Sequence, residues 1–405
     1  MALFDALREH DIDARAAVPG DEIDGSLPRL ITLPADTQQV STILRTAAAD
    51  GATVAVAGHG TKQTWGTPTG AVDVVVNLSR IDQIVEHQPG DLIVTAQAGV
   101  PLAALQASLG ASTQRLALDE MVPGTTVGGL IATNPSGPRR LHAGTVRDLL
   151  IGLTLVRPDG TIARAGGKVV KNVAGYDLCK LLTGSWGTLG VITEATFRLH
   201  PVPAATRWLT AHVPDHDLPD LLKSVMHSQL TPSAVEVDTN DSSDGHTQVA
   251  VLLEGTPGGV DARAREMTRL LAHGADQGDA GWTTHYPFRL GGTQIGLKIT
   301  CAIGAVTGVA RRARDLGLHV RGSAGTGVLY AAVADEADLT SAHLQTLRAE
   351  AARAGGSVTI VDGPRAVRAA LDVWGPVSGL RIMHRIKDEF DPDHRLQPGR
   401  FVGGI

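Results

Sequence analysis

Three glycine-bearing turns set between apolar runs constrain this chain more than any other feature. They are Pro123-Gly124-Thr125-Thr126-Val127-Gly128-Gly129, the run Val169 to Leu178 around Gly175, and Gly187-Thr188-Leu189-Gly190-Val191-Ile192-Thr193. All lie between Met121 and Pro201. Glycine lets backbone N–H groups approach a bound anion, because no Cβ intervenes and positive φ costs little. One such turn is a weak signal; three between strand-like runs imply a long ligand threaded along a backbone-lined groove.

Upstream, Thr53 to Ala57 reads as a buried strand running into Gly58-His59-Gly60-Thr61-Lys62. A strand followed by a glycine turn is the geometry in which amides meet a pyrophosphate. Neither better-known phosphate motif fits. A dinucleotide fingerprint needs glycine where Gln63 stands, and a Walker motif needs Gly-Lys-Ser/Thr where Thr61-Lys62-Gln63 stands. A plain turn between strand and loop is the bland alternative.

At 405 residues the chain has room for two or three domains. Its 47 glycines and 21 prolines favour a loop-rich α+β enzyme over a helical bundle. A net charge of −6 offers no basic field for nucleic acid or an anionic membrane. Cys179 and Cys301 are too few for a disulfide framework or a four-cysteine iron–sulfur cluster, and no metal site is expected. Met1 to His10 carries charges in place of an apolar signal core, and no apolar run approaches the length of a membrane span.

Periodicity predicts a helix at 2–10, a polar turn-rich stretch from Asp11 to Ser26, a strand at 30–33, and a helix capped by Asp36 or Thr37. Strands follow at 72–78 and 92–98, then a helix with Leu102, Leu105 and Leu109 on one face. Leu149 to Val156 and Thr161 to Ala165 form a hairpin about Arg157-Pro158-Asp159-Gly160, which makes Asp159 a turn residue. Pro201-Val202-Pro203 marks a boundary near 203. From Arg207 to Asp362, two consecutive β-α-β-β-α-like units predict an antiparallel sheet backed by helices. A helical tail fills 363–405.

The run Lys171-Asn172-Val173-Ala174-Gly175-Tyr176-Asp177, Gly137-Pro138-Arg139-Arg140, Gly144-Thr145-Val146-Arg147-Asp148 and Gly187-Thr188-Leu189-Gly190 resemble the E subunits of glycolate oxidase, in the vanillyl-alcohol oxidase superfamily. The resemblance covers about residues 28–202 and the last thirty or so residues. It implies an α+β chain: a PCMH-type FAD-binding domain at 1–203 with subdomains at about 28–80 and 81–203, an antiparallel-sheet cap of FAD-linked oxidases at 204–362, and a tail at 363–405 that returns to the FAD domain. The family ends its last helix with Asn-Pro-Gly-Arg, where this chain has Gln397.

By that resemblance the FAD-binding residues are Gly58, His59, Gly60, Thr61 and Lys62 of the pyrophosphate loop, with Pro123, Gly124, Thr126, Gly128, Gly129 and Asn134. Gly144, Arg147, Asp148, Gly190, Val191 and Ile192 complete the set. Some relatives bond FAD through a histidine in this loop. A gapless alignment on Val54-Ala55-Val56 puts Thr61 at the linking position and His59 two residues early, so noncovalent FAD is expected. Arg147 and Asp148 read equally as a structural pair.

Oxidising a 2-hydroxy acid needs a base for the hydroxyl proton and a cation for the carboxylate. Arg139, Arg140, Lys171 and Tyr176 are the candidates, although a half-buried core tyrosine is an equal reading of Tyr176. The histidine-rich metal cluster of the two-subunit relative has no counterpart here; His285, His384 and His394 are scattered. The resemblance therefore implies a cytoplasmic flavoprotein subunit, or one peripheral to the inner membrane, that works with a second FAD subunit and an iron–sulfur subunit. Its rivals are a stand-alone FAD-dependent dehydrogenase or oxidase of another hydroxy acid or alcohol, and a non-catalytic FAD-binding scaffold.

Overall fold

The computed structural model describes residues 2–168, 175–239, 245–272, 275–278, 280–333 and 339–405. Val169 to Ala174, including Lys171, lie outside the described residues.

After α1 (Ala2–Glu9), a four-stranded sheet forms from β1 (Ala14–Ala16), β2 (Leu30–Thr32), β3 (Val54–Ala57) and β4 (Val74–Asn77), in the order β1-β2-β4-β3. The helix α2 (Thr37–Ala49) joins β2 to β3; Asp36 caps it by accepting from Gln39 N at 2.8 Å, and Val40, Ile43, Leu44 and Ala47 bury its apolar face. β1 falls in the stretch read from sequence as polar turn. Three residues on a sheet edge, half-exposed to exposed, leave no apolar pattern to detect.

A second, antiparallel sheet has the order β5-β6-β10-β8-β9, built from β5 (Ile84–Gln88), β6 (Ile93–Gln97), β8 (Leu150–Val156), β9 (Ile162–Gly166) and β10 (Val191–Arg198). The β8–β9 hairpin turns where expected, and Asp159 Oδ1 accepts from Thr161 N at 2.8 Å. Around this sheet lie α3 (Leu102–Gly110), α4 (Val127–Thr133), α5 (Arg140–Ala143), α6 (Val146–Leu149) and α7 (Leu178–Leu182), with the short pair β7 (Gln114–Arg115) and β11 (His200–Pro201). The stretch read as the glycine turn 123–129 thus ends in a helix. Thr126 caps α4, and buried Val127, Leu130 and Ile131 anchor it, which outweighs the low helix propensity of Gly128 and Gly129.

The third sheet is antiparallel throughout, in the order β15-β12-β14-β13-β17-β18-β16-β19. One unit runs β12 (Ala205–Pro214), α8 (Leu218–His227), β13 (Ala234–Asp238), β14 (His246–Gly255), α9 (Pro257–Leu271), with β15 (Asp276–Gln277) on its edge. The other runs β16 (Ile295–Thr300), α10 (Val306–Asp315), β17 (His319–Ser323), β18 (Val328–Val333), α11 (Ser341–Arg353), β19 (Ser357–Asp362). The two meet at β13 and β17. Strand alternation divides the faces. Val235, Val237, Leu297, Ile299, Val320, Leu329 and Ile360 join the buried helix-side core. Glu236, Lys298, Arg321, Tyr330 and Thr359 occupy the alternate positions, and that face looks toward the first two sheets.

The tail carries α12 (Arg365–Ala370) and α13 (Leu380–Phe390) and then returns to β3: Val54 N donates to Arg395 O at 2.8 Å and Gln397 N to Val54 O at 2.8 Å. Lys387 fixes α13 from inside, its buried ammonium donating to Asp391 Oδ2 at 2.7 Å and Thr188 O at 2.8 Å. No helix among the described residues is long and apolar enough to cross a membrane.

Candidate functional site

β3 with the loop that follows it, α4 and the returning tail line a groove of about 720 Å³. Gly58, His59, Gly60, Thr61 and Lys62 form one wall, Thr126, Gly128 and Gly129 a second, and Gly190 and Ile192 a third. Among the described residues, the N–H groups of Gly58 through Lys62 make no hydrogen bond within the chain. Five consecutive unpaired amides make an anion cradle. Its approach to α4 depends on the missing side chain at Gly58, where a Cβ would meet Thr126 Oγ1 at 2.4 Å. Gly60 has φ +73°, the left-handed region that favours glycine.

At α4 the amides are committed elsewhere: Val127 N donates to Val100 O at 2.9 Å and Gly128 N to Ala98 O at 2.8 Å. Gly128 and Gly129 therefore serve as a close-packed wall. Lys62 is 6% exposed and donates to Thr125 Oγ1 at 2.8 Å. Burial lowers its pKa to about 7, against a smaller opposing pull from Glu120. His59 is exposed at the groove's rim.

Several expected contacts stand elsewhere. Asp148 accepts from Thr145 N at 2.8 Å and Thr145 Oγ1 at 2.9 Å, so it caps α6, and the same carboxylate explains Gly144, where a Cβ would meet it at 2.7 Å. Arg147 and Pro123 are exposed. Val191 is fully buried in the core behind the groove, and Gly124 packs under the loop, its Cβ position 3.5 Å from Thr61 Cγ2. Tyr176 is 95% exposed, which contradicts the half-buried core reading and keeps it off the groove wall.

Sequence reasoning missed the tail's part in the groove. Arg400, 5% exposed, donates to Gln63 Oε1 at 2.9 Å and also to Lys62 O, and so latches the phosphate loop. Gln397 lines the groove, its side chain donating to Val56 O at 3.2 Å. Trp186 closes one end, edge-on to Trp374 with centroids 5.1 Å apart. The Pro398-Gly399-Arg400 terminus was the available signal for Arg400.

Past Thr133 and Trp186 the groove meets a second cavity of about 830 Å³ beneath the third sheet. Trp65 and Asn134 line it, and their Nε1 and Oδ1 are buried with no hydrogen-bond partner among the described residues. Lys298 and Tyr330 lie on its sheet side. Unpaired polar atoms at the end of an anion cradle are what a long nucleotide carrying a polar ring would satisfy, so the residues present fit FAD. A smaller cavity of about 300 Å³ shares Tyr330 and holds Glu236, 3% exposed with Oε1 unpaired. Burial raises the Glu236 pKa well above the usual 4.5.

Arg139 does not face either cavity's open space as a free cation. It donates to Asp119 Oδ1 at 2.6 Å and Glu254 Oε1 at 3.2 Å, while Arg115 holds Glu254 bidentately at 2.7 and 2.9 Å. This network pins β14 of the third sheet to β7 and to the segment before α5. Arg140 has no such carboxylate; its Nη1 donates to Ser136 Oγ at 3.3 Å.

Residues 28–166 match the family described as FAD binding domain. Fold, cradle and matched domain agree: residues 28–166 form an FAD binding domain, and the cofactor is FAD. It is 35% identical over 188 residues to glycolate oxidase subunit GlcE of Escherichia coli (strain K12), covering 46% of this chain and 52% of that subunit. The match thus spans about half the length of that relative. Glycolate oxidase subunit GlcD of Bacillus subtilis (strain 168) is 27% identical over 420 residues, covering 93% of this chain and 89% of that one. In fold, the chain is similar to substrate-bound p-cresol methylhydroxylase, with a TM-score of 0.75 at 16% identity over 98% of this chain and 96% of that chain.

Proposed function

We propose that this chain is the FAD-bearing subunit of an oxidoreductase acting on a small 2-hydroxy acid, that it holds FAD noncovalently, and that it hands electrons to a partner protein. The partners that suit this role are a second FAD subunit and an iron–sulfur subunit, with the chain in the cytoplasm or at the periphery of the inner membrane. The observation that carries the reading is the run of unpaired amides from Gly58 to Lys62 opening into a cavity whose sheet wall presents Lys298.

FAD, when bound, supplies the hydride acceptor. The chain's own residues cradle the pyrophosphate through Gly58 to Lys62, neutralise it with Lys62, and screen the ring end with Trp65, Trp186 and Trp374. The described residues lining the second cavity include no carboxylate and no imidazole. A positioned base typically contributes about 10² to 10⁴ in rate. The isolated chain is therefore expected to oxidise hydroxy acids slowly, and Cys179 and Cys301 are too few to carry electrons onward through a cluster.

The test is anaerobic bleaching of the FAD-loaded chain by glycolate, D-lactate and L-lactate, alone and with an iron–sulfur partner. Slow bleaching alone and rapid bleaching in the complex are expected; rapid bleaching and turnover by the chain alone would replace the subunit reading with an independent dehydrogenase. Acid precipitation should leave the yellow colour in the supernatant, and colour held in the washed pellet would overturn noncovalent attachment.

A further inference from the structure

The side of the third sheet that looks toward the first two carries an ammonium without a partner among the described residues. Lys298 sits on β16 between Tyr330 of β18 and Thr359 of β19, directly across the ladder from each. Among the described residues it makes no hydrogen bond and no ion pair. Its side chain lines the larger cavity, whose wall adds the hydroxyls of Thr300, Ser357 and Thr359 and no carboxylate. Arg140, the nearest other cation, is bonded only through Ser136 Oγ and is close enough to push on Lys298 electrostatically.

A part-buried ammonium loses solvation and is repelled by a second cation nearby, so it gains from an anion placed beside it. A general counter-ion from solvent would satisfy an exposed pair, but the polar hydroxyl rim and the shared wall at Thr133 and Trp186 place this space beside the groove's ring end. We propose that Lys298 is the carboxylate-binding cation of this chain, taking the carboxylate of a small 2-hydroxy acid. The assignment rests on the hydroxy-acid reading above and supplies the cation that reading requires. It also replaces Arg139, which the Asp119–Glu254 network occupies.

Burial, with a smaller contribution from Arg140, lowers the Lys298 pKa to about 8. Tyr330, whose pKa burial raises, is the other titratable group on the cavity wall. Anion binding should therefore weaken as pH rises through about 8, while a guanidinium at the same position stays charged.

The experiment uses the FAD-loaded full chain and oxalate, a carboxylate that cannot be oxidised by hydride removal, with uncharged oxamide as the control. Binding is followed by calorimetry and by perturbation of the flavin absorbance. Lys298→Gln should weaken oxalate by about 10- to 100-fold, the value of a charge-assisted hydrogen bond. Lys298→Arg should restore most of it and remove the loss above pH 8. Retained FAD in each variant shows that the chain is folded. Equal oxalate affinity in wild type and Lys298→Gln, or equal affinity for oxamide and oxalate, overturns the assignment. Bleaching separates the two claims. Lys298-dependent oxalate binding without bleaching by any hydroxy acid, even in the complex, removes the function and leaves the site; bleaching with unchanged half-saturation in Lys298→Gln removes the site and leaves the function.

Discussion

The Lys62 ammonium lies under the phosphate loop, where burial drops its pKa to about 7 from the usual 10.5. Between those values the unfolded chain holds more protons than the folded one, so the FAD-free chain gains stability as pH rises from about 7 toward 10.5. A pyrophosphate bound on the adjoining amides favours the charged form and raises that pKa again. Binding FAD near pH 8 should therefore take up a proton. Calorimetry in two buffers of different ionisation enthalpy should give different binding enthalpies for wild type and equal ones for Lys62→Met; buffer-independent enthalpy in wild type would contradict the placement. Gly58 and Gly60 were legible in the sequence because a strand running into Gly-x-Gly has few other uses. The burial of Lys62 was not, since its partner Thr125 comes from a segment far along the chain.

Among elements, β14 of the third sheet is joined to β7 and to the segment before α5 through one carboxylate. Glu254, on β14, is nearly buried, and burial alone would raise its pKa; hydrogen bonds and charge from Arg115 and Arg139 hold it instead at about 2, below the usual 4.5. Its contribution to stability is full above about 4.5 and is lost as pH falls toward 2. Glu254→Gln leaves two part-buried guanidinium groups short of their partner and should cost about 3–5 kcal/mol. Acid unfolding of wild type should be steeper across that pH range than that of the variant, and coincident acid profiles would rule out this role. The strands of the third sheet were legible because their faces differ, Val235 and Val237 against Glu236. β5 was missed because Ile84 to Gln88 is an edge strand, half-exposed along both faces. The helix α4 was missed because two glycines follow its first residue, and its support comes from tertiary burial of Leu130 and Ile131.

At the scale of the whole molecule, the candidate site is assembled from segments that local pattern cannot join. Asn134 ends α4, Lys298 sits mid-sheet, and Arg400 arrives from the tail, yet they line two cavities that share the wall of Thr133 and Trp186. Periodicity could divide the chain into its sheets and place the phosphate loop, and the resemblance could supply the cofactor. That Lys298 has no partner among the described residues while Arg139 is occupied depends on which carboxylates the folded chain brings to each. Every chemical statement about this space presupposes that FAD lies in the groove between the Gly58–Lys62 loop and α4. The most direct test is a spectroscopic titration of the stripped full chain with FAD, wild type against Gly58→Ala and Gly60→Ala. At Gly60 a Cβ finds its nearest neighbour, Gln63 Cγ, at 3.8 Å, so that variant carries only the positive-φ cost of about 1–2 kcal/mol. At Gly58 the Cβ would strike the Thr126 hydroxyl at 2.4 Å and force the loop away from α4. Stoichiometric FAD in wild type, weakened uptake in Gly60→Ala and none in a folded Gly58→Ala is the predicted result. Wild-type affinity in Gly58→Ala would contradict it.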